Sequence, residues 1–300
     1  MAQRRCYRVG GHWFAVTAEE PLLAMMGNYE PFAVVDTPSE QTVFELRVGN
    51  SENTGEIEHF FTSTADDDMP RIEIYRRGDE WMFMVAPTKD SDSCIRITAS
   101  ADMHEAQLCF LDKESRFGID NACMLLYAFT TVHRQTLLMH AAVIGRQDKA
   151  YLFLGHSGTG KSTHARLWMQ VYQDAWLLND DNPVLRLQES GEVEVYGSPW
   201  SGKTPCYINS KLPVGAIVQL QQAPHNHISP MNLPHAYASM LSSVSGLKIV
   251  PAMMDALYST IAAVIQTIPT YYLECLPDTA AAETCAEAVG STINLSVLPE

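Results

Sequence analysis

Two stretches of the chain match the phosphate-loop pattern G-x-x-x-x-G-K-[ST] letter for letter. They read GHSGTGKS at residues 155–162 and GSPWSGKT at residues 197–204. Such a loop binds phosphate when a buried strand leads into a glycine-rich turn and a helix begins directly after it. The backbone N–H groups of the turn and the positive end of the helix then face the same anion. The flanking sequence therefore decides which of the two stretches is suited to a nucleotide.

The stretch at 155–162 has the flanks that this chemistry needs. The apolar run AYLFL before it predicts a strand, and the run STHARLWMQVYQ after its lysine, free of glycine and proline, predicts a helix. We therefore predict that this stretch binds ATP, with Lys161 at the outer phosphates and the Ser162 hydroxyl as a ligand of Mg²⁺. The predicted nucleotide-binding residues are Gly155, His156, Ser157, Gly158, Thr159, Gly160, Lys161, Ser162 and Thr163.

The stretch at 197–204 has the letters of the pattern without its context. Pro199 removes a backbone N–H, Trp200 is bulky where small residues are usual, and Pro205 follows the lysine closely. This argues against a second phosphate loop. Two interpretations stay open: a tight loop that packs on its domain, and a loop that brings Lys203 or a backbone group to the active site.

Two adjacent aspartates follow the next apolar run, Trp176–Leu178. Side chains alternate along a strand, so Asp180 and Asp181 point in different directions. One carboxylate would ligate Mg²⁺, for which we choose Asp180, and the other would accept the proton of a substrate hydroxyl, for which we choose Asp181. The alternative is a solvated turn, because D-N-P favours turns.

Composition limits the partners. The formal net charge is −15, and an acidic surface repels a phosphate backbone, which argues against nucleic acid as a partner. Six basic residues cluster around the two loops, which suits a small anionic ligand; they are Lys149, Lys161, Arg166, Arg186, Lys203 and Lys211. The seven cysteines show no C-x-x-C pair, so neither a disulfide framework nor a zinc site is predicted. Neither a signal peptide nor a membrane span is visible, and the expected compartment is the cytoplasm.

Two domains are predicted. Residues 1–118 are rich in short β runs such as IEIYRR, EWMFMVA and CIRITAS, and predict a small antiparallel sheet domain or lid of unknown role. The run ADDD at 65–68 reads as a solvated loop rather than a metal site. Residues 119–300 alternate strands and helices, beginning with a helix over 119–133, and predict an α/β layer. Within it VLRLQESGEVEVYG predicts a hairpin, TYYLEC a strand, and residues near 233–243, 251–266 and 279–289 helices.

The segment MHAAVIGRQDKAYLFLGHSGTGKSTHARLW…WLLNDDNPVL resembles the HPr kinase/phosphorylase and PEP carboxykinase-like superfamily, which pairs a glycine-rich phosphate loop with a nearby Asp-Asp. The resemblance covers roughly residues 119–290 and implies a P-loop-containing α/β core preceded by a smaller β-rich domain. It also implies an active-site role for His140, although a histidine in an apolar strand is often only a core residue. His156 stands where these kinases often carry an acidic residue, and their downstream signature is missing.

The resulting hypothesis is an ATP-dependent kinase that uses Mg²⁺ and transfers the γ-phosphate to a hydroxyl. The acceptor would be a serine of a protein or peptide, or a small molecule. Asp181, Asp180, Lys161 and His140 would be catalytic, with Lys203 beside the transferred group. The alternatives are a nucleotide-binding sensor or scaffold without turnover, and an ATP hydrolase. The resemblance further implies a homo-oligomer, since HPr kinases form hexamers.

Overall fold

The computed structural model describes residues 1–50, 55–63, 70–202, 204–246 and 250–295. Lys203 and the ADDD run at 65–68 lie outside these residues. The chain forms two compact units, Met1–Thr131 and Val132–Glu300. The predicted boundary between residues 118 and 119 falls inside a helix, Arg116–Thr131, that belongs to the first unit. That helix packs on the first unit's sheet, with Phe129 stacked on Phe83 at 5.5 Å between ring centroids.

The first unit consists mainly of one sheet, which has nine strands among the residues described. Its strands are β1 (Gln3–Val9), β2 (His12–Ala18), β3 (Ala33–Val34), β4 (Thr42–Val48), β5 (Glu58–Thr62), β6 (Arg71–Arg77), β7 (Glu80–Ala86), β8 (Ile95–Ala99) and β9 (Glu105–Phe110). Its helices are α1 (Glu20–Ala24) and α2 (Arg116–Thr131), with 3₁₀ turns at Gly27–Phe32 and Ser39–Gln41.

This sheet is mixed, which corrects the prediction of an antiparallel one. The strand order is β3-β1-β2-β4-β9-β8-β7-β6-β5, and both β2–β4 and β4–β9 are parallel pairs. Strands β5 to β8 separate β4 from β9 in the chain, and β9 then pairs with β4 and runs in the same direction. The runs IEIYRR, EWMFMVA and CIRITAS lie in β6, β7 and β8, as predicted.

The second unit alternates strands and helices. Its strands are β10 (Thr136–Leu138), β11 (Ala141–Arg146), β12 (Lys149–Leu154), β13 (Trp176–Asp181), β14 (Val184–Leu187), β15 (Val193–Tyr196), β16 (Lys211–Gln222), β17 (His227–Pro230) and β18 (Thr270–Cys275). Its helices are α3 (Lys161–Val171), α4 (Leu233–Ser243), α5 (Pro251–Thr267) and α6 (Thr279–Leu295), after a 3₁₀ turn at Val132–Arg134. The predicted hairpin, the strand TYYLEC and the last three helices are confirmed.

Helices cover both faces of the second sheet. The strand order is β10-β14-β15-β16-β12-β11-β13, with β18 also paired to β16 and to β17. Side chains of β12 alternate between the faces: Leu152 and Leu154 pack with residues of α4 and α5, whereas Tyr151 and Phe153 pack with residues of α3 and α6. Alternation of this kind buries β12 on both sides, as in other sheets with helices on two faces. The protein is therefore a mixed α/β protein with two large mixed sheets.

None of the helices in the described residues has the length and apolar character that crossing a membrane requires.

Candidate functional site

Strand directions bring three segments to one edge of the second sheet. β11 is antiparallel to β12 and to β13, so its first residue lies beside the last residues of both neighbours. Ala142 pairs with Phe153, and Ala141 pairs with Asp181. His140 therefore stands between the end of β12 and the end of β13. His140 lies directly before β11, which begins at Ala141, and not inside an apolar strand.

The turn after β12, residues 155–162, is called here the first glycine loop. It connects β12 directly to α3, which begins at Lys161. Gly158 and Gly160 have φ of 79° and 106°, in the left-handed region that glycine adopts without strain. The Nε2 of Gln222, at the end of β16, donates to Gly158 O at 3.1 Å. The sequence thus forms the strand, glycine turn and helix that its flanks predicted.

Lys161 is buried in this loop, with 8% of its surface exposed. Its Nζ donates to the carbonyl oxygens of Gly155 at 2.9 Å and His156 at 3.3 Å. Burial lowers the pKa of Lys161, and the nearby carboxylates of Asp181 and Asp180 oppose that shift. The ammonium group is thereby held at the loop, within electrostatic reach of both carboxylates.

Asp181 and His140 form a close pair at the end of β13. The Nε2 of His140 lies 3.5 Å from Oδ1 of Asp181. Burial raises the pKa of Asp181, against the attraction of His140 and Lys161. Burial and the charge of Lys161 lower the pKa of His140. Both shifts favour the neutral form of each group.

The backbone holds this pair in place. His140 N donates to Ser243 O at 2.6 Å, which ties His140 to the end of α4. Asp181 has φ of 146°, a conformation that non-glycine residues rarely adopt. Strain of this kind persists only where surrounding contacts enforce it, and it is common at functional sites.

The segment 197–204, called here the second loop, packs against the acidic pair. Gly202 N donates to Asp180 O at 2.7 Å, and Ser201 forms an isolated β-bridge with Asp181. A Cβ on Gly202 would lie 3.1 Å from Asp180 O. Trp200 is 2% exposed. Of the two interpretations left open by the sequence, the described part of the loop therefore fits a tight loop packed on its domain, and this packing brings it to the acidic pair.

Asn179 is the link between this loop and β13, and sequence reasoning did not identify it. Its Nδ2 donates to Ser198 Oγ at 3.2 Å and to Trp200 O at 3.3 Å, while its Oδ1 accepts from Asn182 N at 2.9 Å. Asn179 is completely buried. An amide directly after an apolar run was the available signal, because a buried amide needs partners for its donors and its acceptor.

The side chains at this site are suited to bind Mg²⁺ only together with substrate phosphates and water. Among the described residues there is no group of three or more His, Cys, Asp and Glu side chains that would hold a metal alone. Mg²⁺ needs no such cage, because one or two carboxylates, water and substrate phosphates complete its octahedron. Ser162, in the first turn of α3, and Asp180, 4% exposed at the end of β13, offer the hard oxygen ligands that it prefers.

The structure thus brings His140, Lys161, Asp180 and Asp181 together at one edge of the sheet. Electrostatic interactions among these groups contribute to the pKa shifts of His140, Lys161 and Asp181. His156, Ser157 and Gly158 form the exposed part of the first glycine loop. Gly155, Thr159, Gly160, Ser162 and Thr163 are half-buried around it.

Comparisons with known proteins place this mixed α/β chain in a family. The family described as "SynChlorMet cassette protein ScmC" matches residues 108–277. That match spans more than half of the chain, so the protein belongs to the ScmC family. None of the curated proteins matches. Among solved structures, the chain is similar to the HPr(Ser) kinase/phosphatase from Coxiella burnetii, with 11% identity and a TM-score of 0.30 over 53% of this chain and 97% of that chain.

Proposed function

We propose that the protein is a Mg²⁺- and ATP-dependent phosphotransferase that moves the γ-phosphate to a hydroxyl group. One observation carries the proposal: a buried lysine in a strand–glycine turn–helix segment lies in one charge cluster with two aspartates and a histidine. Phosphoryl transfer requires mainly positioning and neutralisation of charge, and this cluster is suited to both. The sequence resemblance to HPr-kinase-like proteins points to the same chemistry.

Each residue of the cluster has a distinct role in this proposal. The backbone N–H groups from His156 to Ser162 bind the β- and γ-phosphates, and Lys161 turns from the loop carbonyls to the outer phosphate oxygens. Ser162 and Asp180 hold Mg²⁺, which neutralises charge on the phosphates when it is bound.

Asp181 is the base of the transfer step. The hydroxyl oxygen of the acceptor forms a bond to the γ-phosphorus while the bond to the β-phosphate oxygen breaks, and ADP leaves with that electron pair. The acceptor proton passes to Asp181, whose raised pKa makes it a better proton acceptor than an ordinary aspartate. His140, 3.5 Å away, orients that carboxylate. The acceptor is the hydroxyl of a serine in a protein or peptide, or of a small molecule.

Calorimetric titration with ATP tests the proposal. We expect wild type to bind ATP only weakly without Mg²⁺ and at least tenfold more tightly with it. Lys161→Ala should abolish that binding, because it removes the cation that faces the outer phosphates. Lys149→Ala is the matched control: Lys149 is the first residue of β12, at the opposite end of the same strand.

The outcomes separate the alternatives. Absence of ATP binding in wild type would overturn the proposal and the sensor alternative together. Binding without formation of ADP in the presence of serine peptides would indicate a sensor or scaffold. Formation of ADP at the same rate with and without an acceptor, with release of inorganic phosphate, would indicate a hydrolase.

A further inference from the structure

A cavity of about 560 Å³ opens beside the first glycine loop, and it extends beyond the residues that are proposed to bind the phosphates. Its lining begins at the loop itself, with Gly158, Thr159 and Gly160, and continues along the first turns of α3. The remaining wall comes from the last residues of β16 and β18 and from the segments that follow them. We call it the α3 cavity.

The α3 cavity lies where ligands of α/β sheets bind. β12, β16 and β18 are parallel neighbours, and the first glycine loop, Gln222 and Leu276 stand at or just beyond their carboxyl ends. Ligands of open α/β sheets occupy crevices outside the carboxyl ends of parallel strands. A ligand with its phosphates in the first glycine loop would have its other end within reach of this cavity.

The walls suit a flat and largely apolar group. The apolar lining includes Leu167, Leu220 and Leu276, together with two prolines. Binding sites for small organic groups commonly combine walls of this kind with a few placed polar groups. His164 and Gln222 supply side-chain polarity here.

His164 is an unusual polar group for such a wall. It is 2% exposed, and its Nε2 accepts a hydrogen bond from Trp168 Nε1 at 3.1 Å. The Nε2 that accepts this hydrogen bond carries no proton, so the ring is in its neutral form. Because Nε2 is the acceptor, the proton of the neutral ring is on Nδ1.

That Nδ1–H has no hydrogen-bond partner among the described residues. A buried donor without an acceptor is costly, and it calls for a structural or functional reason. Phe153, whose ring lies edge-on to the imidazole at 4.7 Å between centroids, offers no acceptor of ordinary strength. An acceptor atom on a ligand in the cavity would provide that reason.

We propose that the α3 cavity binds the heterocyclic base of the nucleoside triphosphate, between the apolar wall and His164, while the first glycine loop binds the phosphates. A base is flat, buries apolar surface on its faces, and carries ring nitrogens that accept hydrogen bonds. The inference rests on the proposed function, because it assigns a binding site to the base of the same nucleotide whose phosphates bind the first glycine loop. His164 would then favour ligands with a ring nitrogen at that position.

The test compares two ligands that share the phosphates and differ in the base. Wild type is titrated calorimetrically with ATP and with inorganic tripolyphosphate, both with Mg²⁺. Ala223→Phe places a ring into the cavity from a half-buried position at its rim, away from the predicted phosphate-binding residues. Ala280→Phe is the matched control, because Ala280 is exposed on α6 and does not line the cavity.

We expect ATP to bind at least tenfold more tightly than tripolyphosphate to wild type and to Ala280→Phe. Ala223→Phe should reduce the ATP affinity to that of tripolyphosphate and leave tripolyphosphate binding unchanged, which also shows that this variant is folded. His164→Gln should weaken ATP several-fold and tripolyphosphate not at all.

Two results would overturn the inference, and they differ from a failure of the proposed function. Equal binding of ATP and tripolyphosphate by wild type would leave the phosphate site in place and remove the base site. Full ATP affinity in a folded Ala223→Phe would do the same. If neither ligand binds wild type, the proposed function fails first and the inference fails with it.

Discussion

The Nε2 of His140 lies 3.5 Å from Oδ1 of Asp181, although 40 positions separate the two residues in the chain. Burial raises the pKa of the carboxyl group and lowers the pKa of the imidazole. Their proton affinities therefore move towards each other. A pair of this kind is suited to take a proton from a hydroxyl and to release it later.

Asp181→Asn should separate transfer from binding. The amide has the shape of the carboxyl group but does not accept a proton, so we expect transfer to fall by about 10²-fold or more. Affinity for ATP with Mg²⁺ should change little. Asp180→Asn should have the opposite pattern, with loss of the Mg²⁺-dependent part of ATP binding. Single-turnover transfer and calorimetry measure the two effects, and an exchange of the two patterns would exchange the proposed roles of the aspartates.

Sequence patterns predicted the second unit well because its signals are local. The apolar strand before Gly155, the glycine turn and the uninterrupted helix after Lys161 all follow from residues within one short segment. Helix α5 likewise begins at a proline, Pro251, which favours the first turn of a helix. The parallel pairs of the first sheet were missed, since pairing between distant strands leaves no local signal.

The contact between the second loop and β13 could not be read from the sequence. The second loop matches the phosphate-loop pattern. Its Ser198 Oγ and Trp200 O nevertheless accept hydrogen bonds from Asn179, which lies about 20 positions earlier in the chain. Pro199 and Trp200 argue against a phosphate loop, but the sequence does not indicate the partner of the loop, because that partner depends on strand register. The bulge between Val143 and Ile144, which shifts the pairing of β11 with β13, sets that register and has no evident signal in sequence.

Asn179→Ala should destabilise the second unit. The side chain is completely buried and makes three hydrogen bonds, so its removal leaves Ser198, Trp200 and Asn182 without those partners. We expect a loss of about 3 kcal/mol in the free energy of unfolding. Gln173→Ala, at an exposed position after α3, should change it by less than about 0.5 kcal/mol. Urea unfolding followed by tryptophan fluorescence compares the two, and equal midpoints would show that Asn179 does not hold the loop.

Gly197→Ala should be among the most damaging single substitutions in the second unit. A Cβ at this position would lie 1.9 Å from the carbonyl oxygen of Ile208 and 3.2 Å from that of Leu178. Both atoms are backbone, so the clash requires the second loop to move, and we expect a loss of more than about 3 kcal/mol.

Gly290→Ala is the matched control for that substitution. Gly290 lies inside α6, and a Cβ there meets no described atom within 4 Å apart from its chain neighbours and the adjacent backbone of its own helix. Replacing a helical glycine by alanine should stabilise the unit by about 0.5–1 kcal/mol. Thermal unfolding should therefore shift in opposite directions for the two variants. A tolerated Gly197→Ala would mean that the second loop is not fixed against Ile208.

His164 should give the second unit a measurable dependence on acid. Its folded-state pKa of about 4 lies below the ordinary value near 6.5. Between these two pH values the imidazole is protonated in the unfolded chain and neutral in the folded chain. The stabilisation is fully present above pH about 6.5 and is lost as the pH falls towards 4, by about 3 kcal/mol in total.

His164→Gln removes this group. The unfolding free energy of wild type should therefore fall by about 3 kcal/mol relative to that of the variant as the pH falls from 7 to 4. His235→Gln, at an exposed position on α4, serves as the control and should follow the wild-type profile. Urea unfolding at a series of pH values measures all three proteins. Parallel profiles for wild type and His164→Gln would show that the imidazole takes up its proton in the folded state, which requires water or an acidic partner at the ring and contradicts its burial between Phe153 and Trp168.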